Sequence, residues 1–129
     1  MSPYLGWTRA IDFNSASTLF PTTISALDIV QGINNDCYYL TATSAIAETP
    51  ARLQNIFINT VYPAEGMLAL NMWIKGKPTV ITIDDYLPIY NDNSFFGTGY
   101  GANTSAWGAF LEKAYAKIVG NYQFTAGGY

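Results

Sequence analysis

The chemistry open to this sequence turns on Cys37, its single cysteine. Asp36 stands at an N-cap position and the stretch CYYLTATSAIAE that follows has helical spacing, so Cys37 falls in the first turn of a helix. There the positive end of the macrodipole favours thiolate over thiol, and a thiolate is a nucleophile. A buried, inert cysteine packed as a small apolar residue is the alternative reading of the same position. Six residues upstream, in DIVQGINNDC, Gln31 carries an amide that could donate a hydrogen bond to a developing oxyanion, alongside the backbone N–H groups at the helix start. The alternative for Gln31 is a solvent-facing loop residue. The chain has no histidine, which excludes the usual zinc sets and any Ser–His or Cys–His pair formed within it. Histidine-assisted chemistry must borrow its histidine from elsewhere.

The elements that would position these residues follow from the apolar pattern. Residues 1–36 have little periodicity and read as a wrapping segment ending in the loop that carries Gln31. In the helix from Cys37, the residues at helical intervals are Tyr39, Ala42, Thr43 or Ser44, and Ile46. Small residues there (Ala42, Ala45, Ala47) let another element approach closely. Thr49 followed by Pro50 predicts the start of a short helix through ARLQNIF. GMLALNMWI and TVITI, joined by KGKP, predict an antiparallel hairpin ended by Asp84 and Asp85, which are read as ordering the following turn. Met67 and Met72 are expected to fill gaps in the core. Leu87 to Asn103 reads as a long loop; its GTGYGA lacks the strand–helix context of a nucleotide loop. Trp107, Phe110, Leu111, Ala114, Tyr115 and Ile118 then predict a long helix whose aromatic stripe Trp107, Phe110 and Tyr115 faces the core, with Ser105 as its N-cap and Gly120 past its end. The expected fold class is α+β, in a single domain over residues 1–129.

Only 12% of the 129 residues are charged, against about 25% in an average soluble domain, while half are hydrophobic. That balance argues against disorder and suggests a surface partly covered by something else. A net charge of −3 offers no footprint for a phosphate backbone, so nucleic acid is not expected as a partner. No stretch of about 18 apolar residues predicts a membrane span. The start, MSPYLGW, has no secretory pattern, and a lone cysteine suits a reducing compartment, so a cytoplasmic location is expected.

The segment DIVQGINNDCYYLTATSAIAE resembles the active-site segment of the calpain family of cysteine proteases, whose usual form is close to D-I-x-Q-G-x-L-G-D-C-[WY]-[FL]-L-A-A. WTRA, VITIDDYLPIY and WGAFLEKAYAKIVGNYQFTAGG extend the resemblance in order over nearly the whole chain. The resemblance implies that Cys37 is the nucleophile and Gln31 the oxyanion donor. It implies the helical first half of a papain-like core, with the nucleophile helix, a small antiparallel hairpin and a long C-terminal helix. The family's histidine and asparagine lie in the second half of the core, beyond Gly127-Gly128-Tyr129, so a second catalytic half is expected in cis or in trans, and the substrate is a polypeptide. A calcium ion is also implied, held by backbone carbonyls, by Asp28 and by an acidic residue at the position of Ser105. Ser105 supplies no carboxylate, which should weaken such a site. Asn34-Asn35 replaces the usual Leu-Gly, and asparagine tolerates a positive φ better than most residues. The same departures, with the missing histidine, leave a non-catalytic interaction or scaffold module as the alternative.

Overall fold

The computed structural model describes residues 6–13, 17–20, 24, 37–59, 61–89 and 105–120, apart from the side chains of Phe13, Cys37, Tyr38 and Leu40. In chain order the elements are β1 (Gly6–Arg9), α1 (Ala10–Phe13), α2 (Cys37–Ala47), α3 (Pro50–Ile56), β2 (Met67–Ile74), β3 (Lys77–Asp84), β4 (Tyr86–Ile89) and α4 (Trp107–Val119). This is an α+β arrangement with two small antiparallel sheets, β1 with β4 and β2 with β3.

The β2–β3 hairpin forms where the alternation of apolar residues predicts it. Leu68, Leu70 and Ile83 point into the core, while Met67, Trp73 and Val80 face outward. Met67 therefore does not fill a core gap: it lies opposite Asp84 on the outer face, and Met72 is the methionine that packs against the core. The turn is tighter than the four residues KGKP. Ile74 pairs with Lys77, leaving only Lys75 and Gly76, both with positive φ (51° and 76°), as the twist of a two-residue hairpin requires. Pro78 sits within β3 on its outward-facing side, where a missing N–H breaks no ladder bond.

The second sheet was not visible in the apolar pattern. Gly6–Arg9 lies in the segment read as wrapping and Tyr86–Ile89 at the start of the segment read as a loop, yet they pair from Gly6↔Ile89 to Arg9↔Tyr86. Four residues are too few to show a period of two. The long helix begins one residue later than an N-cap at Ser105 implies. Ser105 is buried and bridges Thr18, the Ala106 N–H bonds to the Thr18 carbonyl, and Ala106 becomes the N-cap without a side-chain cap. Thr49 likewise precedes α3 without capping it through its side chain. Gly120 ends α4 as expected, at φ 118°, with its N–H on the Ala116 carbonyl. Trp107, Phe110, Leu111 and Ala114 fill the core with Leu53, Leu68 and Leu70. Among the described residues, no helix is long and apolar enough to cross a membrane.

A buried carboxylate ties the two ends of this arrangement together. Asp85, 1% exposed, accepts both its oxygens' bonds from Arg9 Nε at 3.1 Å and a further bond from the Tyr62 hydroxyl at 2.5 Å. Arg9 also donates to the Ala64 carbonyl, the Ile11 N–H donates to the Tyr62 oxygen, and the Ala10 N–H donates to the Asp85 carbonyl. Burial, the bond to Asp85 and the negative charge of Asp85 together raise the Tyr62 pKa far above the ordinary phenol range. Gly66 closes the cluster. Its φ is +77°, and a Cβ there would stand 2.6 Å from Asp85 Oδ1 and 2.9 Å from the Arg9 guanidinium. The Tyr62 hydroxyl holds Asp85 in that position and the Ala64 carbonyl holds Arg9. Gly66→Ala is therefore expected to combine left-handed strain with a disturbed buried ion pair and to lower stability by about 3 kcal/mol. Urea unfolding measures this, and a loss below about 1 kcal/mol would show that the cluster is not as rigid as its bonds imply.

Candidate active site

Helix α2 begins at Cys37, where the helical spacing and the N-cap position placed it. Its backbone thus puts the cysteine at the end where N–H groups lack intrahelical partners and the macrodipole is positive. Asp36, Gln31 and Asp28 lie outside the described residues, as do Asn34 and Asn35. The structure therefore bears on the nucleophile candidate through its helix and is silent on the oxyanion and calcium candidates.

The face that α2 buries differs from the expected one. Thr43 and Ala47 are buried, Tyr39 and Ile46 are half-buried against the core, and Ala42 and Ala45 are exposed. The stripe is Tyr39, Thr43, Ile46 and Ala47, with a threonine at its centre. The hydroxyl is tolerated because Thr43 Oγ1 donates to the Tyr39 carbonyl at 2.9 Å, a local bond that satisfies it inside the helix. Tyr39 makes the contact with α4. Its ring stacks on Tyr115, with centroids 4.1 Å apart and planes 7° from parallel, and its hydroxyl donates to the Leu111 carbonyl at 3.0 Å. Tyr115, expected in the core, stands instead half-buried at this junction.

Helix α4 is in turn fastened to the sheets. Its buried face carries Trp107, Phe110, Leu111 and Ala114, and Phe110 meets Tyr62 edge to face at 5.9 Å. On its flank, Lys113 forms an ion pair with Asp84 and donates to the carbonyls of Asp84 and Tyr86, with its ammonium 5.3 Å from the centre of the Trp7 ring. Lys117 donates to the Thr82 carbonyl. These two lysines occupy outward carbonyls of β3, so the strand's edge is closed by the helix. Burial pulls the Lys113 ammonium below the usual lysine range, and the hydrogen bond and charge of Asp84 offset only part of that. Burial alone would push the Asp84 carboxyl up. The hydrogen bonds from Lys113 and from the Tyr86 N–H, with the charges of Lys113 and Lys117, outweigh it and hold the carboxyl below the usual range. Asp84 thus does order the turn into β4, through its bond from the Tyr86 N–H at 3.1 Å, whereas Asp85 belongs to the Arg9 cluster.

The described residues contain no cluster of three or more metal-ligating side chains. Ser105 offers a neutral hydroxyl, buried and without a hydrogen-bond partner among the described residues, where calcium would take a carboxylate.

Residues 2–129 match the model of the calpain family cysteine protease. Calpain-13 of Rattus norvegicus is 33% identical over 130 residues, which cover 98% of this chain and 20% of that protein. Calpain-A of Drosophila melanogaster is 32% identical, over 97% of this chain and 15% of that protein. The calpain-type cysteine protease ADL1 of Oryza sativa subsp. japonica is 31% identical, over 93% of this chain and 6% of that protein. The chain thus spans a fifth or less of the length of these relatives.

The Asp84–Lys113 contact generates a pH dependence with a definite sign. A carboxyl held below its unfolded value of about 3.9 contributes stability above that pH and loses it as pH falls through the folded value. Asp84→Asn is expected to lower the midpoint of thermal unfolding at pH 7 and to flatten the decline between about pH 4 and pH 2. Parallel declines in the two proteins would mean that the pair contributes nothing to folding.

Proposed function

The chain belongs to the calpain family of cysteine proteases, and from that premise we propose that it forms the first half of a catalytic core for hydrolysis of peptide bonds. The observation that carries the reading is that α2 begins at Cys37. A thiol in the first turn of a helix is shifted toward the thiolate by the macrodipole, which suits a nucleophile that a base then completes. Cys37 Sγ attacks the carbonyl carbon of the scissile bond, and the carbonyl oxygen takes up the charge. The Gln31 amide and the backbone N–H groups at the start of α2 support that oxyanion. A histidine from the second half of the core accepts the thiol proton and delivers it to the leaving amine, held in orientation by an asparagine of the same half. Water then attacks the thioester, the same histidine removes its proton, and Cys37 is regenerated with release of the carboxylic acid.

The division of labour follows from composition, since the chain contains no histidine to act as the base. A second reading is a module that has kept the fold for interaction and does no chemistry. The replacement of Leu-Gly by Asn34-Asn35 ahead of Asp36-Cys37 points that way.

Alkylation by a peptide epoxide directed at thiols separates the two. The 129-residue chain alone is expected to turn over no peptide and to label slowly at Cys37. When joined to a second half bearing the histidine and asparagine, it is expected to label at least about 100-fold faster, the contribution typical of a positioned general base. Cys37→Ala should abolish both labelling and turnover. Peptidase activity of the chain alone would overturn the division of labour, and labelling indifferent to the second half would establish the interaction module.

A further inference from the structure

We propose that Tyr39 and Tyr115 are positioning residues for Cys37: together they keep the first turn of α2 folded against α4. The inference rests on the reading of Cys37 as an activated nucleophile. An 11-residue helix is marginal by itself, and its first turn is the part that frays, because the leading N–H groups have no intrahelical partners. The field that favours a thiolate at Cys37 exists only while that turn is helical.

Tyr39 lies two residues after Cys37 in the same turn, and its side chain is attached to α4 through two contacts. The ring lies flat on Tyr115, and the hydroxyl bonds to the Leu111 carbonyl. Within α4 the Leu111 carbonyl points toward the backbone N–H of Tyr115, so the stack and the hydrogen bond meet α4 at one place. A stack alone would leave the ring free to slide over its partner, whereas a stack combined with a directed hydrogen bond from the same side chain fixes both its orientation and its position on α4. Thr43, one turn further along α2, bonds to the Tyr39 carbonyl and is buried, which fastens the next turn behind it. The partner face is firm, because Trp107, Phe110 and Ala114 of α4 are fully buried and Lys113 is held by Asp84 and Tyr86.

The test is the pH profile of Cys37 alkylation by iodoacetamide in the 129-residue chain. The wild-type chain is expected to react with an apparent pKa below the free-thiol value of about 8.5. Tyr115→Leu removes the stack and should return the apparent pKa toward that value, with alkylation at pH 7 about tenfold slower. Tyr39→Phe keeps the ring and removes only the bond to Leu111, and should give a smaller shift in the same direction. Tyr115→Phe should restore the wild-type profile. Ile83→Val, which loosens the core away from the α2–α4 contact, controls for general loss of stability and should leave the profile unchanged. A lowered wild-type pKa that neither Tyr115→Leu nor Tyr39→Phe moves would overturn the positioning role and leave the nucleophile reading standing. An ordinary pKa in the wild-type chain would overturn this inference, while the nucleophile reading falls only if the epoxide labels Cys37 indifferently to the second half.

Discussion

A carboxylate removed from water must be surrounded by donors, and the donors of Asp85 come from two distant stretches of chain. Arg9 ends β1, and Tyr62 lies in the connection ahead of β2; both meet the residue between β3 and β4. Leaving such a charge buried without its partner costs on the order of 3–5 kcal/mol, so the three stretches can converge only together. Gly66 belongs to the same constraint, since the connection passes too close to Asp85 and Arg9 to carry a side chain. The short β1–β4 sheet is a consequence of this convergence as much as a cause. Four-residue strands have little pairing energy of their own, and the ion pair adjoins the Arg9↔Tyr86 pair at their end.

From that cluster the order is transmitted outward. Fixing Asp85 fixes Asp84 and Tyr86 on either side, and these are the residues that receive Lys113. The relative weights matter here. Asp84 is more than half exposed, and an exposed ion pair is worth about 0–1 kcal/mol, whereas burial of Trp107 and Phe110 is worth several times that. Apolar burial docks α4, and the lysines choose its rotation and seal the edge of β3. Once α4 is set, the carbonyl of Leu111 and the ring of Tyr115 offer α2 one seat.

The parts legible in the sequence were those whose information is local. The hairpin shows in its alternating residues, α4 in its Trp107, Phe110, Leu111, Ala114 spacing, and the start of α2 in the helical spacing that opens at Cys37. The parts that were not legible depend on residues far apart in the chain. Nothing near Arg9 announces Asp85, and nothing near Tyr39 announces Tyr115, although both pairs organise the site. A usable signal did exist for the first. Asp85 follows a β-branched run in a chain with nine acidic residues, and a second consecutive acid there is costly unless a cation is waiting. Thr43 was one of two candidates for the buried face and takes it because its hydroxyl is satisfied within its own helix, whereas Ala42, placed on that face by spacing, is exposed. Ser105 misled because a tertiary bridge to Thr18 claimed the backbone that a cap would have used. Gln31 was read from its spacing to Cys37 and Asp28 only from the family resemblance, and both lie outside the described residues.

In the proposed division of labour, nucleophile and base sit on separate halves. The thiolate is favoured by a helix start that this chain builds alone, while proton transfer needs a base held on another scaffold. Catalysis then depends on the placement of one half against the other, and a misplacement of about 1 Å can cost on the order of 100-fold. Such an arrangement gives the nucleophile side one requirement above all, that the first turn of α2 stay where it is whether or not the second half is present. A helix held only by apolar contacts can slide at little cost, because greasy surfaces match in many registers. An aromatic stack combined with a hydrogen bond to one particular carbonyl matches in one. The tyrosine junction between α2 and α4 meets that requirement, and it reaches back through Lys113 and Asp84 to the buried carboxylate on which the two sheets converge.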